Sequence, residues 1–222
     1  MASIDNELVR IINSGKCFVL IGSGLSCDSG LPSWKQLTTD IYEQFNNSMQ
    51  EIQKKSIERK IQMGQYPKVI EDCEKQAPSK MEFYRTVNEI FNSYPVRNSV
   101  LYSMVARWPI PVYLTTNYDN ILNDELQKNG NAFLVKGNTI DDISSLSSTS
   151  ENIIFKIHGD IDDYENIVLT ESQYNEFRNS PKRQYWRDKI FSTINMIPLV
   201  IIGYSAKDPD FSEQLERAKM IL

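Results

Sequence analysis

Five short apolar runs recur along the chain, each ending in a polar or glycine-containing turn: KCFVLIG (16–22), PVYLTTN (111–117), AFLVK (132–136), NIIFKIHG (152–159) and IPLVIIGYS (197–205). They are β-branched or aromatic-rich and short, so they read as strands. The last is nearly continuous in apolar character and reads as a central parallel strand, covered on both faces. Between the strands the spacing turns helical, at 4–13, 34–45, 118–126, 170–177 and 181–196. Asn117 or Asp119 is the expected cap of the third of these helices. Thr170 and Gln173 form a capping box for the fourth. AKDPDFSEQL begins a further helix, with Asp208 at its cap and Pro209 at its first position. The stretch from about 46 to 107 is helical, broken at Gly64, Pro67, Pro78 and Pro95, and holds no strand pattern. It reads as a helical lobe inserted between two strands. The Ser-rich segment 141–152 reads as a loop. Strands alternating with helices predict an α/β fold: a Rossmann-like, mostly parallel sheet with helices on both faces. No repeat or long linker interrupts it, so residues 1–222 are read as one domain.

Composition narrows the class. A chain of 222 residues buries roughly 70% of its unfolded surface and needs no disulfide or metal staple. A net charge of −5 argues against a general nucleic-acid binder. Cys17, Cys27 and Cys73 form no C-x-x-C pair, which disfavours both a disulfide framework and a zinc site. No signal peptide is visible, and the apolar runs fall far short of the roughly 20 residues of a membrane helix. These features predict a cytoplasmic protein. The sequence FSEQLERAKMIL stops inside a helical pattern with no stop signal, so it reads as a domain cut from a longer protein.

In a parallel sheet, ligands bind at the carboxyl ends of strands. Four polar signatures sit there: GSGLS (22–26), TTNYD (115–119), KIHGD (156–160) and GYS (203–205). Each has a plain reading and a chemical one. GSGLSCDSG lacks the third glycine of the dinucleotide fingerprint at its usual place, so it is either a strand-to-helix turn or a phosphate loop. As a loop, Gly22 and Gly24 would let backbone approach a pyrophosphate, with Ser23 and Ser26 adding hydroxyls. Asn117 and Asp119 are helix caps or ligand-facing groups. His158 is the only histidine, and its strand-end position suits a general base. Gly203 and Ser205 make a turn or contact phosphate or ribose. Trp34 is core or pocket wall. The basic stretch RNSPKRQYWRDK (178–189) is a solvated helix face, or a contact for nucleic acid or an acidic partner.

Taken in order, these signatures resemble the sirtuin superfamily, whose loop, Asn-containing strand end, His-Gly pair and Gly-x-Ser turn match GSGLS then GLPSW, TTNYD, His158-Gly159 and GYS. The match runs over about residues 16–210 and leaves the middle helical region unmatched. Residues 160–197 hold no cysteine, so the zinc module of the protein-deacylating branch is missing. Ser33-Trp34-Lys35 also departs from the deacylase loop. The forms TTNYD, KIHGD and GYS-x-x-D look like the sirtuin-like domains of bacterial antiphage defence proteins. That resemblance implies hydrolysis of NAD to nicotinamide and ADP-ribose, with NAD as substrate and no metal. It implies Asn117 and His158 as catalytic residues, and Gly22, Ser23, Gly24, Ser26, Trp34, Asp119, Gly203 and Ser205 as NAD-binding residues. It further implies a homo-oligomer with a fused or associated sensor module; the short apolar runs and the net charge of −5 predict no membrane contact and argue against nucleic-acid contact within this domain. The alternatives are an NAD-dependent protein deacylase, or a non-catalytic NAD or ADP-ribose sensor.

Overall fold

The computed structural model describes residues 5–144, 151–181 and 196–204, with residues 184, 185, 188, 189 and 192 between the last two stretches. Ser205, Asp208 and Pro209, the Ser-rich stretch 145–150 and much of 181–196 lie outside the described residues. Helix α1 (Asn6–Asn13) leads into β1 (Phe18–Ile21), followed by the short α2 (Ser23–Asp28) and α3 (Trp34–Phe45). The expected helical lobe then runs as α4 (Glu51–Gln62), α5 (Tyr66–Glu74), α6 (Lys80–Asn92) and α7 (Val100–Val105). After it come β2 (Val112–Thr115), α8 (Ile121–Lys128), β3 (Leu134–Lys136), α9 (Ile140–Ser144), β4 (Ile153–Lys156), α10 (Glu171–Asn179) and β5 (Leu199–Ile202).

The strands form one sheet in the order β3-β4-β2-β1-β5, and every pairing is parallel. The predicted α/β architecture is borne out. Because side chains alternate along a strand, the register sorts them into two layers. Phe18, Val112, Ile153 and Leu199 lie abreast and pack on one face with Tyr174 and Phe177 of α10. Val19, Tyr113, Ile154 and Val200 face the other way, toward the helices of the lobe. Trp34 packs against both clusters.

Three local expectations need correcting. Strand β5 is an edge strand among the described residues: it pairs with β1 alone, and Ile201 is 41% exposed. A short apolar run carries no information about which strands lie at a strand's two edges. The third predicted helix begins at Ile121 with Asn120 at its cap, so neither Asn117 nor Asp119 is the cap residue. Asp119 Oδ1 nonetheless accepts the Ile121 N–H at 3.1 Å, which meets one of the helix's open donors. Finally, residues 140–144 at the start of the predicted loop are helical. The Asp142 N–H donates to Thr139 Oγ1 at 3.3 Å, and the Thr139 hydroxyl donates to the Asp142 carboxylate at 2.9 Å, which ties Thr139 to the first turn of this helix.

Candidate functional site

Four parallel strands deliver GSGLS, TTNYD, KIHGD and the Gly203-Tyr204 part of the fourth signature to one rim. At the end of β1, Gly22 is buried and Ser23 opens α2 in an exposed position. The glycines here serve close packing of backbone on backbone. The Gly24 N–H donates to Gly203 O at 2.8 Å, and a Cβ on Gly24 would lie 2.8 Å from that oxygen. A Cβ on Gly22 would lie 2.6 Å from Tyr204 Cα. Gly203 itself has φ +63°, a conformation other residues adopt at a cost. Thus Gly22, Gly24 and Gly203 lock the β1 and β5 turns together, and the Gly24 N–H is already taken.

Behind this turn lies a connected polar cluster. Asn117 is 7% exposed. Its Nδ2 donates to Gly22 O at 3.1 Å and Ser26 Oγ at 2.8 Å, and stands 3.3 Å from the Tyr102 hydroxyl. The Asn117 backbone N–H donates to Thr115 Oγ1, whose own proton goes to Ile21 O. Ser26 Oγ donates to Asp119 Oδ2 at 2.7 Å and shares a 3.0 Å bond with the Tyr102 hydroxyl. The predicted residues Ser26, Asn117 and Asp119 therefore come together, with Ser26 turned inward and its hydroxyl engaged by protein. Burial pushes the Asp119 carboxyl above its ordinary range, against the opposing pull of Ser26, the Ile121 N–H and the Lys156 charge. Burial likewise raises the Tyr102 phenol, with the Asp119 charge adding to the effect.

His158 occupies a separate niche. It is 3% exposed, and its ring meets Tyr174 and Phe177 edge-on, with centroids 5.3 and 5.8 Å away. Its Nδ1 is 3.5 Å from the Tyr174 hydroxyl, and its carbonyl accepts the Val168 N–H at 2.8 Å. Gly159 follows with φ +81° and turns the chain sharply away. Trp34 stands half-buried at the rim, edge-on to Tyr118 with centroids 6.0 Å apart.

Two residues absent from the sequence-based set join these parts. Tyr102 comes from α7 in the lobe and is held by the Ser99 cap, whose hydroxyl also donates to Asp28 on α2. Nothing in a helical pattern identifies which lobe residue reaches the rim. Lys156 carried a visible signal, since a lysine inside the run IIFKI has to be paired if it is buried. Its ammonium donates to Tyr118 O at 2.9 Å, Asn120 Oδ1 at 2.8 Å and the Asp160 carboxylate. Three donors meet three acceptors, so Lys156 staples the loop carrying Asn117 and Asp119 to the loop carrying His158.

Comparison with known proteins agrees with the motifs. A family model described as a SIR2-like domain matches residues 111–220. An "NAD(+) hydrolase ThsA" of Cytobacillus dafuensis is 26% identical over 97% of this chain and 40% of its own length. A protein of the same name from Enterococcus faecium is 23% identical over 95% of this chain and 41% of its own. "Defense-associated sirtuin 2" of Bacillus subtilis is 27% identical over 92% of this chain and 20% of its own. The resemblance to the sirtuin superfamily, and to defence-associated members of it, is borne out. The chain spans about two fifths of the first two relatives and one fifth of the third.

Proposed function

We propose that this chain is an NAD-hydrolysing domain, cleaving NAD to nicotinamide and ADP-ribose as the effector of a bacterial antiphage system. The observation that carries the reading is the bonded cluster of Asn117, Ser26 and Asp119 directly behind the Gly22 turn, one strand away from His158. Nicotinamide departs neutral from a cationic ring, which leaves oxocarbenium character on the ribose. What the protein has to supply is position, a polar environment and a place for a proton. In this reading Asn117 orients the ribose or the attacking water, and His158 takes a proton from one of them. Asp119 and Ser26 hold Asn117. Trp34, Ser23 and the Gly22, Gly24, Gly203 and Ser205 turns border the dinucleotide.

Asn117 and His158 are each more than nine-tenths buried. A substrate ribose therefore reaches them only once the rim loops part, which fits a domain switched on by a second copy or a sensor module in the cytoplasm. Among the described residues no helix is long and apolar enough to cross a membrane. The test is nicotinamide and ADP-ribose release from NAD, over a range of protein concentrations. The loss expected is about 10²–10⁴-fold for His158→Ala, the usual worth of a general base. About 10²–10³-fold is expected for Asn117→Ala, the worth of a preorganised dipole. Near-wild-type turnover by both folded variants would overturn the assignment. Acyl-ADP-ribose formed from an acylated peptide would redirect it to a deacylase, and tight NAD binding without turnover in the assembled protein to a sensor.

A further inference from the structure

A small polar cavity lies between α8 and strands β2, β3 and β4. Its volume is about 10 Å³, the room of one water molecule. Tyr102, Thr115, Asn117, Asn123, Ile154 and Lys156 are among its walls. Two of these residues bring a side-chain oxygen that meets no donor among the described residues: Asn117 Oδ1 and Asn123 Oδ1, both buried. The amide orientation at Asn117 is fixed by chemistry, because only its nitrogen can donate to Gly22 O. Its oxygen is thereby turned away from Gly22. A buried carbonyl left without a donor is costly, and here the two residues that carry one line the same cavity.

We propose that this cavity binds a single water molecule, which donates one proton to Asn117 Oδ1 and the other to Asn123 Oδ1. Asn123 then becomes a positioning residue for Asn117, acting through that water. The stoichiometry fits, since water has two protons and two acceptors need them. Bound in this way, the water completes the set of bonds on the Asn117 amide. Nδ2 is held by Gly22, Ser26 and Tyr102, and Oδ1 by α8. The kinetic consequence rests on the hydrolase reading above, whereas the water site itself does not.

The test has two arms. A crystal structure that resolves ordered water is expected to show one peak within hydrogen-bond reach of both oxygens. A dry cavity, or a peak bonded to neither, overturns the proposal. The second arm compares Asn123→Leu, which fills the cavity and removes the acceptor, with Asn123→Asp, which keeps an acceptor. Asn123→Leu is expected to lose about tenfold in kcat for NAD, roughly one lost hydrogen bond, with KM within about twofold. Asn123→Asp is expected to restore kcat. A lower Tm with unchanged kcat would make Asn123 merely structural and overturn the positioning role. If the wild-type protein does not turn over NAD, the hydrolase reading fails separately. The Asn117 side chain in the Asn123→Leu crystal then decides: displaced as expected, or unmoved, against the proposal. Should Asn123→Leu fail to fold, Asn123→Ala removes the same acceptor and is read in the same way.

Discussion

Asp119 shows how one carboxylate can serve two structural ends at a cost. It accepts Ser26 Oγ on one oxygen and the first N–H of α8 on the other, and burial still holds its carboxyl above the ordinary range. Folding therefore shifts the proton equilibrium of this carboxyl toward the protonated side. Stability from this group is fully present below the unfolded value of about 3.9 and is lost as pH rises through the raised folded value. Asp119→Asn removes the titration while keeping an amide oxygen for one of the two bonds. The difference in Tm between variant and wild type should move in the variant's favour from acid to neutral pH. A difference that stays constant with pH would show that the carboxyl does not titrate differently in the folded protein. Legibility at this scale was uneven for physical reasons. Asn117, Asp119 and His158 announce themselves because polar groups at the end of apolar runs break a pattern. Tyr102 does not, since an aromatic residue in a helix is ordinary core until a long-range contact turns its hydroxyl toward Ser26.

Among the elements, the lobe has a task that its helical pattern alone does not reveal. Glu71 on α5 accepts the Ser172 N–H at 2.7 Å and the Ser172 hydroxyl at 2.8 Å, so an anion sits at the first turn of α10. Burial opposes the charge on Glu71, but the bonds from Lys75 and Ser172 outweigh it and hold the carboxyl below the ordinary range. Gln173, placed by the predicted capping box, donates from its other end to the Tyr84 hydroxyl of α6 at 2.7 Å. Two lobe helices thus brace the one helix whose Tyr174 and Phe177 hold the His158 ring. Glu71→Ala combined with Tyr84→Phe is expected to speed hydrogen exchange in α10 about tenfold, while β1 and β2 stay protected. Unchanged exchange in α10 would show that the brace does not stabilise it. The sequence marked both the lobe and the capped helix, because periodicity and caps are local. Their contact joins residues about a hundred positions apart, and periodicity does not encode that. The edge position of β5 escaped for the same reason, since strand order is set by long-range pairing.

At the scale of the whole molecule, an all-parallel sheet has two chemically different ends. The carboxyl rim collects the polar signatures as far as the described residues reach. The amino rim holds a larger open cleft of about 880 Å³, bordered by Arg10, Lys16, Pro109, Pro111 and Pro198. By size alone the amino-end cleft is the better vessel for a dinucleotide, because pockets for such ligands run to about 300–1,000 Å³. Chemistry argues the other way. Arg10 is engaged by Glu7, Lys16 is exposed, and the bordering prolines offer no N–H to a phosphate. The carboxyl rim, by contrast, carries a linked asparagine, aspartate and serine with the histidine one strand away, which is where parallel sheets place their ligands. Reversing charge at the amino rim with Lys16→Glu should therefore leave NAD turnover and its KM within about twofold, the scale of a distant surface change. His158→Ala at the opposite rim should still cost about 10²–10⁴-fold in turnover. If Lys16→Glu instead weakened NAD binding tenfold or more, the dinucleotide would have to be moved to the amino end, and the carboxyl-rim cluster would be left as a structural device for closing the sheet.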